Sequence, residues 1–218
     1  MMYLTIILGA MLLMPLLLYY EKKKNRKGLL PTKAFLSSLF VLAALVQPHP
    51  IPGYYHLLLI GLILCLGGDL FLALPQEKMF LLGLLSFLIG HIFYILAFFH
   101  ISQTGRLTLV GSLIFLIISG GICFWLWSRL GSMKGPVLLY VVVITVMVSG
   151  AFSVLGGFHL ARGGRVLVFA GALLFYFSDV FVARDRFVKN EFINRLIGLP
   201  MYYTGQFLIA FSVGLLKH

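Results

Sequence analysis

The stretch ALLFYFSDVFVARDRF, residues 172–187, places an acidic residue, Asp179, near the end of an almost entirely apolar run. A charged side chain is costly to bury in an apolar environment, and an acidic residue inside a membrane span usually has a function. The sequence therefore has to indicate both the class of protein and the reason why an aspartate occupies this position.

The composition of the whole chain is typical of a membrane protein. Of its 218 residues, 61% are hydrophobic and only 11% are charged, whereas soluble domains have about 25% charged residues. A helix needs about 20 apolar residues to cross the hydrocarbon core of a bilayer. We therefore predict an all-α integral membrane protein, a single domain of eight transmembrane helices near residues 3–20, 32–47, 54–74, 79–100, 107–128, 136–156, 165–183 and 195–216.

The basic residues are distributed unevenly between the loops. Thirteen of the 17 Lys and Arg residues follow the first, third, fifth and seventh helices, and four, including Lys217, lie on the other side. Because cytoplasmic loops carry the excess of basic residues, we predict that both termini face away from the cytoplasm. The net charge of +11 then reflects topology, and we expect no nucleic-acid partner. The expected location is the inner membrane in a bacterium or an endoplasmic reticulum-type membrane in a eukaryote.

A second aspartate, Asp69, lies in a matching context. Residues 68–73, GDLFLA, align without gaps on residues 178–183, SDVFVA, and the following helices contain the related segments GHIFYILAF and GQFLIAF. This similarity predicts two parallel four-helix repeats, approximately residues 1–105 and 106–218, related by an axis along the membrane normal. Such an axis brings the two aspartates toward each other, near the cytoplasmic ends of their helices.

Several other polar residues recur at helical spacing on faces that we expect to point inward. Each also has a structural interpretation, as interhelical hydrogen-bonding groups or as interfacial tyrosines. The chain has no grouping with metal-ligand spacing and no P-loop, dinucleotide or nucleophile-elbow motif, so we expect neither a metal nor a cofactor. The candidates for one polar pocket around the aspartates are His91, Tyr94, Tyr140, Ser178, Tyr202, Tyr203 and Gln206.

Five motifs together resemble, in order and spacing, those of the YhhN family of multipass membrane proteins, whose characterised animal members are lysoplasmalogenases. They are GGDLFLAL, GHIFY, PVLLYVVVITVM, FSDVFVARDRF and YYTGQFLIA, between residues ~60 and 212. The family's two aspartates correspond to Asp69 and Asp179. The resemblance implies hydrolysis of the vinyl ether bond of a lysoplasmalogen, a lysophospholipid with an ethanolamine or choline head group, to a fatty aldehyde and the glycerophospho compound.

This reaction needs a proton, delivered to the β-carbon of the vinyl ether. Two neighbouring carboxyl groups in an apolar site resist ionising together, so a pair can hold one proton. The protonated carboxyl group acts as the acid, and the ionised one stabilises the oxocarbenium ion and directs water onto it. Asp69 and Asp179 are the predicted catalytic residues, and which of them is the acid stays open.

A phosphate subsite is predicted where α-helical geometry places basic residues just beyond Asp179. Arg186 is the main candidate, with Arg184 or Lys189 secondary, because a guanidinium can hold a phosphate by paired hydrogen bonds.

Two other classes of function fit a membrane protein with intramembrane acids, namely a proton-coupled transporter and a lipid-binding protein without turnover. The oligomeric state stays open.

Overall fold

A computed structural model describes residues 2–157 and 159–216 of the chain; Lys217 lies outside this part. The described chain is all-helical, with 88% helix and no strand. Eight helices in it are long and apolar enough to span a membrane, which confirms the predicted number. They are α1 (Met2–Lys23), α2 (Arg26–Leu45), α3 (Pro52–Ala73), α4 (Glu77–Ile101), α5 (Arg106–Leu126), α6 (Lys134–Val154), α7 (Arg162–Ala183) and α8 (Phe192–Leu215).

Helix α2 begins earlier than its hydropathy indicates. The side chain of Asn25 accepts a hydrogen bond from the backbone N–H of Gly28 and caps the helix at Arg26. Lys33, at the edge of the predicted span 32–47, therefore lies two turns inside α2 and is only 2% exposed. Ser37 follows one turn later on the same face of the helix.

Two helix pairs pack closely enough to need glycine at their crossing points. A Cβ atom added to Gly205 of α8 would lie 2.7 Å from the carbonyl oxygen of Gly171 in α7. In the pair α3 and α4, a Cβ atom on Gly61 would lie 3.0 Å from the carbonyl oxygen of Gly90. Small residues allow such close approach of transmembrane helices, so each pair forms a tight antiparallel hairpin.

The remaining helices surround these two hairpins. Helix α2 packs against α3 and α8, α6 packs against α4 and α7, and α1 and α5 lie at the periphery beside α2 and α6. A π-helical turn, Arg184–Val188, continues α7 toward α8. Large apolar side chains such as Leu12, Ile117 and Phe124 are exposed on the outside, whereas Asp69, His91 and Gln206 are buried. This distribution is the one expected of a bundle surrounded by lipid.

Candidate active site

A cavity of about 550 Å³ lies between helices α2 to α8, and both aspartates line it. Asp69 lies four residues before Ala73, the last residue of α3, and Asp179 lies four residues before Ala183, the last residue of α7. The two carboxyl groups therefore occupy equivalent positions in their helices, about one turn from the ends.

Asp69 is buried and accepts two hydrogen bonds on the same carboxyl oxygen. The hydroxyl of Ser37 in α2 donates to Oδ2 at 2.6 Å, and the hydroxyl of Tyr202 in α8 donates to it at 2.7 Å. Tyr203 reaches the same group indirectly, because its hydroxyl lies 3.2 Å from the Ser37 hydroxyl. Three helices thus meet around this carboxyl group.

The Tyr202 hydroxyl is itself held by a chain of buried polar groups. The amide nitrogen of Gln206 donates to it at 3.3 Å, and the amide oxygen of Gln206 accepts from Tyr94 at 2.7 Å. Tyr202 lines the cavity, whereas Tyr94, Tyr203 and Gln206 do not. They lie behind its wall and support Asp69 through hydrogen bonds.

Asp179 has a simpler environment. Within the described residues its Oδ2 accepts one hydrogen bond, from the hydroxyl of Tyr140 in α6 at 2.6 Å. Ser178 precedes it and also lines the cavity, but its hydroxyl donates to the carbonyl oxygen of Phe175 in its own helix. Asp179 is only half-buried, so its carboxyl group is more open to the cavity than that of Asp69.

His91 is fully buried between aromatic rings. Its ring centroid lies 4.6 Å from that of Phe175, 5.4 Å from that of Tyr140 and 6.2 Å from that of Tyr94. Within the part of the chain that the structure describes, neither ring nitrogen has a hydrogen-bond partner. His91 does not line the cavity but packs against Tyr140, the partner of Asp179.

The basic residues predicted to hold phosphate differ in their availability. Arg186 is exposed, lines the cavity and stacks its guanidinium 4.5 Å from the ring centroid of Phe80. Arg184 and Lys189 instead pair with Glu191, at 2.9 and 2.7 Å, and do not line the cavity. The hydrogen bonds from Lys189 and Arg184 lower the pKa of Glu191 below its usual range. Arg186 is therefore the available cation of the three.

A buried polar network at the cavity mouth was missed by sequence reasoning. Asp185 is buried, lines the cavity and accepts hydrogen bonds from Arg195, at 2.7 Å, and from Asn190 and Asn194. Arg195 also reaches Glu21 of α1 at 3.4 Å. Only the Asp-Arg pair in VARDRF was visible in the sequence, because the partners of Asp185 come from α8 and from the segment just before it.

Lys33 is the second feature that was missed. Its side chain lines the cavity, and its ammonium group lies 3.9 Å from Glu21, longer than a hydrogen bond. Ser37, one turn later in α2, holds Asp69. A buried cation is therefore located on the same helix face as the group that contacts one of the two aspartates.

The opposite wall of the cavity is largely apolar. It is formed by α4, α5 and α6. One polar pair interrupts it, Ser119 and Tyr176, whose hydroxyls lie 2.7 Å apart. An apolar wall beside a polar mouth suits an amphiphilic ligand. The apolar residues of this wall are Leu84, Ile122, Leu126, Val137, Val141 and Ile144.

Comparison with known proteins identifies the family. The family model described as the YhhN family matches residues 29–213. The chain belongs to the YhhN family. The match extends from α2 almost to the end of α8 and thus includes every helix that lines the cavity. With its eight apolar helices, this YhhN protein is a multi-pass membrane protein.

Relatives of this YhhN protein include named enzymes. It is 30% identical over 180 residues to lysoplasmalogenase of Mycobacterium bovis, covering 78% of this chain and 64% of the relative. It is 31% identical over 158 residues to lysoplasmalogenase TMEM86A of Bos taurus, covering 70% and 63%. The chain thus spans slightly less than two thirds of the length of these two relatives.

A bacterial relative matches more of its own length. The uncharacterized membrane protein YhhN of Escherichia coli O6:H1 is 24% identical over 179 residues, which are 82% of this chain and 84% of that protein. No solved structure matches the chain at a significant level.

Proposed function

We propose that this YhhN protein is a lysoplasmalogenase-type hydrolase. The observation that carries the proposal is that two carboxyl groups from equivalent positions of two helices line one cavity with a charged mouth and an apolar wall. Its relatives named lysoplasmalogenase support the choice of substrate. The proposed products are a fatty aldehyde and glycerophospho-ethanolamine or glycerophosphocholine.

The proposed chemistry uses Asp69 and Asp179 as a pair that shares one proton. The protonated carboxyl group transfers its proton to the β-carbon of the vinyl ether, which leaves an oxocarbenium ion. The ionised carboxyl group stabilises this cation and accepts a proton from the water that attacks the adjacent carbon. The bond between the hemiacetal carbon and the glycerol oxygen then breaks: the glycerol oxygen takes up a proton, the hemiacetal hydroxyl gives one up, and the carbon becomes an aldehyde. No acyl intermediate and no metal take part in this scheme.

The cavity offers places for the other parts of the lysolipid. The alkenyl chain can lie along the apolar wall of α4, α5 and α6, while the phosphate stays at the mouth. Arg186 is the proposed phosphate ligand, because it lines the cavity and has no acidic partner among the described residues. Its stacking on Phe80 preorients the guanidinium. Ser178, Tyr140 and Tyr202 are the proposed substrate contacts near the carboxyl groups, since they also line the cavity.

His91, Tyr94, Tyr203 and Gln206 have supporting roles in this proposal. Each lies behind the cavity wall and reaches the site through another side chain, by hydrogen bonds for the tyrosines and the amide and by ring packing for His91. They orient the groups that hold the two aspartates.

The substrate is proposed to enter from the cytoplasmic leaflet. The excess of basic residues after odd-numbered helices supports an orientation with both termini on the opposite side. The cavity mouth is lined by Arg186, in the turn that follows α7, and by Arg195, in the first turn of α8, on the side that carries this excess.

The two halves, residues 1–105 and 106–218, are proposed to be parallel repeats within one transmembrane domain. Three correspondences support this. The glycine crossings pair Gly61 with Gly90 and Gly171 with Gly205, the packing of α3 on α4 matches that of α7 on α8, and the packing of α6 on α4 matches that of α2 on α8.

Aldehyde release by the purified protein tests the function. The protein in detergent is incubated with lysoplasmalogen, and the aldehyde is measured by a coupled dehydrogenase. We expect turnover that depends on the vinyl ether, with no reaction of the saturated ether analogue. A transporter or a lipid-binding protein would give no aldehyde in detergent, because neither breaks the bond.

A further inference from the structure

We infer that Asp69 is the carboxylate of the pair and that Asp179 is the carboxyl group that carries the proton, with Lys33 as a positioning residue that keeps Asp69 ionised. The catalytic roles that follow rest on the proposed function: Asp179 is then the general acid, and Asp69 stabilises the cation and accepts the proton of the attacking water. The protonation states themselves can be tested without turnover.

The direction of the hydrogen bonds around Asp69 carries the first part of the inference. The amide nitrogen of Gln206 can only donate, so the Tyr202 hydroxyl accepts from it and has its own proton left for Asp69. Tyr94 fixes the amide by donating to its oxygen. The chain is therefore a series of donors that ends at Asp69, and a carboxylate is the form that only accepts.

A second donor reaches the same oxygen from α2. The Ser37 hydroxyl donates to Asp69 at 2.6 Å, so the neighbouring Tyr203 hydroxyl, at 3.2 Å, is the donor to Ser37. Hydrogen bonds donated to a carboxylate favour its charged form. Two such donors on one buried oxygen are the arrangement that stabilises an anion.

The buried cation is on the same side of the site. Lys33 precedes Ser37 by four residues, about 6 Å along the helix at 1.5 Å per residue, and both residues line up on the α2 face that meets Asp69. Its nearest acidic partner, Glu21, lies at 3.9 Å and also contacts Arg195 at 3.4 Å. Glu21 is shared between Lys33 and Arg195 and thus neutralises the Lys33 charge only in part, so the remaining field of Lys33 acts on the α2 face that meets Asp69.

Asp179 lacks these features. Among the described residues it has one hydroxyl partner, Tyr140, and that hydroxyl has no further donor to fix its direction. Tyr140 can therefore donate to the carboxyl group or accept from it, so a protonated Asp179 fits equally well. No Lys, Arg or His in the described chain lies within ion-pair distance of Asp179.

The other charged and titratable groups around the two aspartates do not favour the opposite assignment of the proton. Cys65 lies one turn before Asp69 in α3, and His91 packs against Tyr140, the partner of Asp179. The charged and titratable groups around Asp69 are Lys33 of α2, Glu21 of α1, Cys65 of α3, and Tyr202 and Tyr203 of α8. Those around Asp179 are Tyr140 of α6, His91 of α4 and Cys65, with Asp185, Arg186 and Arg195 at the cavity mouth.

Infrared difference spectroscopy of the purified protein at pH 7 tests the assignment directly. A protonated carboxyl group absorbs at a higher frequency than a carboxylate, so each Asn variant is compared with the wild type. We expect Asp179→Asn to remove a protonated-carboxyl band and Asp69→Asn to retain it. Loss of the band in Asp69→Asn, or no such band in the wild type, would overturn the inference. The spectrum decides this whether or not aldehyde is released, so a failure of the proposed function remains distinguishable.

The pH dependence of kcat tests the role of Lys33. The rate rises as Asp69 ionises and falls as Asp179 loses its proton. Removing the positive charge of Lys33 should move the acidic limb to higher pH, by ~1 pH unit for an assumed separation of about 10 Å and an effective dielectric constant of about 20. We expect this shift in Lys33→Met, an unchanged alkaline limb, and recovery in Lys33→Arg. A shift of the alkaline limb in Lys33→Met would contradict the proposed role of Lys33. A higher KM with an unchanged pH profile would also contradict it, because that result is expected of a phosphate ligand.

Discussion

Replacing Tyr202 by phenylalanine isolates the contribution of one hydroxyl group to the site. The substitution keeps the ring, which packs against Phe87 and Phe175, and removes the 2.7 Å hydrogen bond to Asp69. It also leaves the amide nitrogen of Gln206 without its partner. A hydrogen bond to a charged group contributes about 1.5–3 kcal/mol, which corresponds to roughly a 10- to 150-fold loss of kcat if Asp69 acts as an anion in the transition state.

Tyr203→Phe is the matched control for this experiment. The two tyrosines are adjacent and buried, but Tyr203 reaches Asp69 only through Ser37, at 3.2 Å. A neutral hydrogen bond contributes about 1 kcal/mol, so we expect less than about a tenfold loss of kcat. Aldehyde release under saturating substrate gives both values, and gel filtration in detergent shows whether each variant is folded. Equal effects of the two substitutions would refute the special position of Tyr202.

Three further perturbations address the site and the fold. Asp69→Asn and Asp179→Asn should each lower kcat by about 10²–10⁴-fold in protein that still elutes as the wild type does; a variant with near-normal turnover would leave its aspartate a structural role. Arg186→Gln should raise KM more than it lowers kcat, because a phosphate contact is similar in the ground and transition states, and unchanged constants would exclude Arg186 as the phosphate ligand. Gly205→Ala should lower the free energy of unfolding in detergent by about 1–3 kcal/mol, because its Cβ would lie 2.7 Å from a backbone oxygen. Gly120→Ala is the control and should not lower it, because the space around Gly120 is open. Equal stability of the two variants would contradict the close crossing.

The spans were predictable because each depends on a local property. Hydropathy over about 20 residues located all eight helices. The matched contexts of Asp69 and Asp179 indicated equivalent depths, and each aspartate lies four residues before the last residue of its helix. The start of α2 was the exception. Arg26, Lys27 and Lys33 lower the local hydropathy, and the burial of Lys33 beside Glu21 depends on a partner from another helix, so the first turns of α2 could not be read from the segment alone.

The partners of the site residues were not predictable for the same reason. Ser37 is 32 residues from Asp69, Tyr94 is 112 residues from Gln206, and Glu21 is 174 residues from Arg195. Helical spacing indicates which face of a helix points inward, but it does not specify which neighbouring helix packs there. The candidate residues were therefore found as a set, and their pairing required the packed bundle.

The glycine crossings determine where the site can move. At Gly171 and Gly205, and at Gly61 and Gly90, a carbonyl oxygen of one helix lies within 2.7–3.1 Å of the Cβ position of the other helix, so the two backbones are in close contact. Each aspartate follows the crossing glycine of its own helix by eight residues, about 12 Å along a rigid rod. Each carboxyl group is thus fixed within its own rigid hairpin, whereas α5, packed mainly on α6, has few attachments. Any opening that admits a lipid chain is then expected at α5, while each carboxyl group keeps its place in its hairpin.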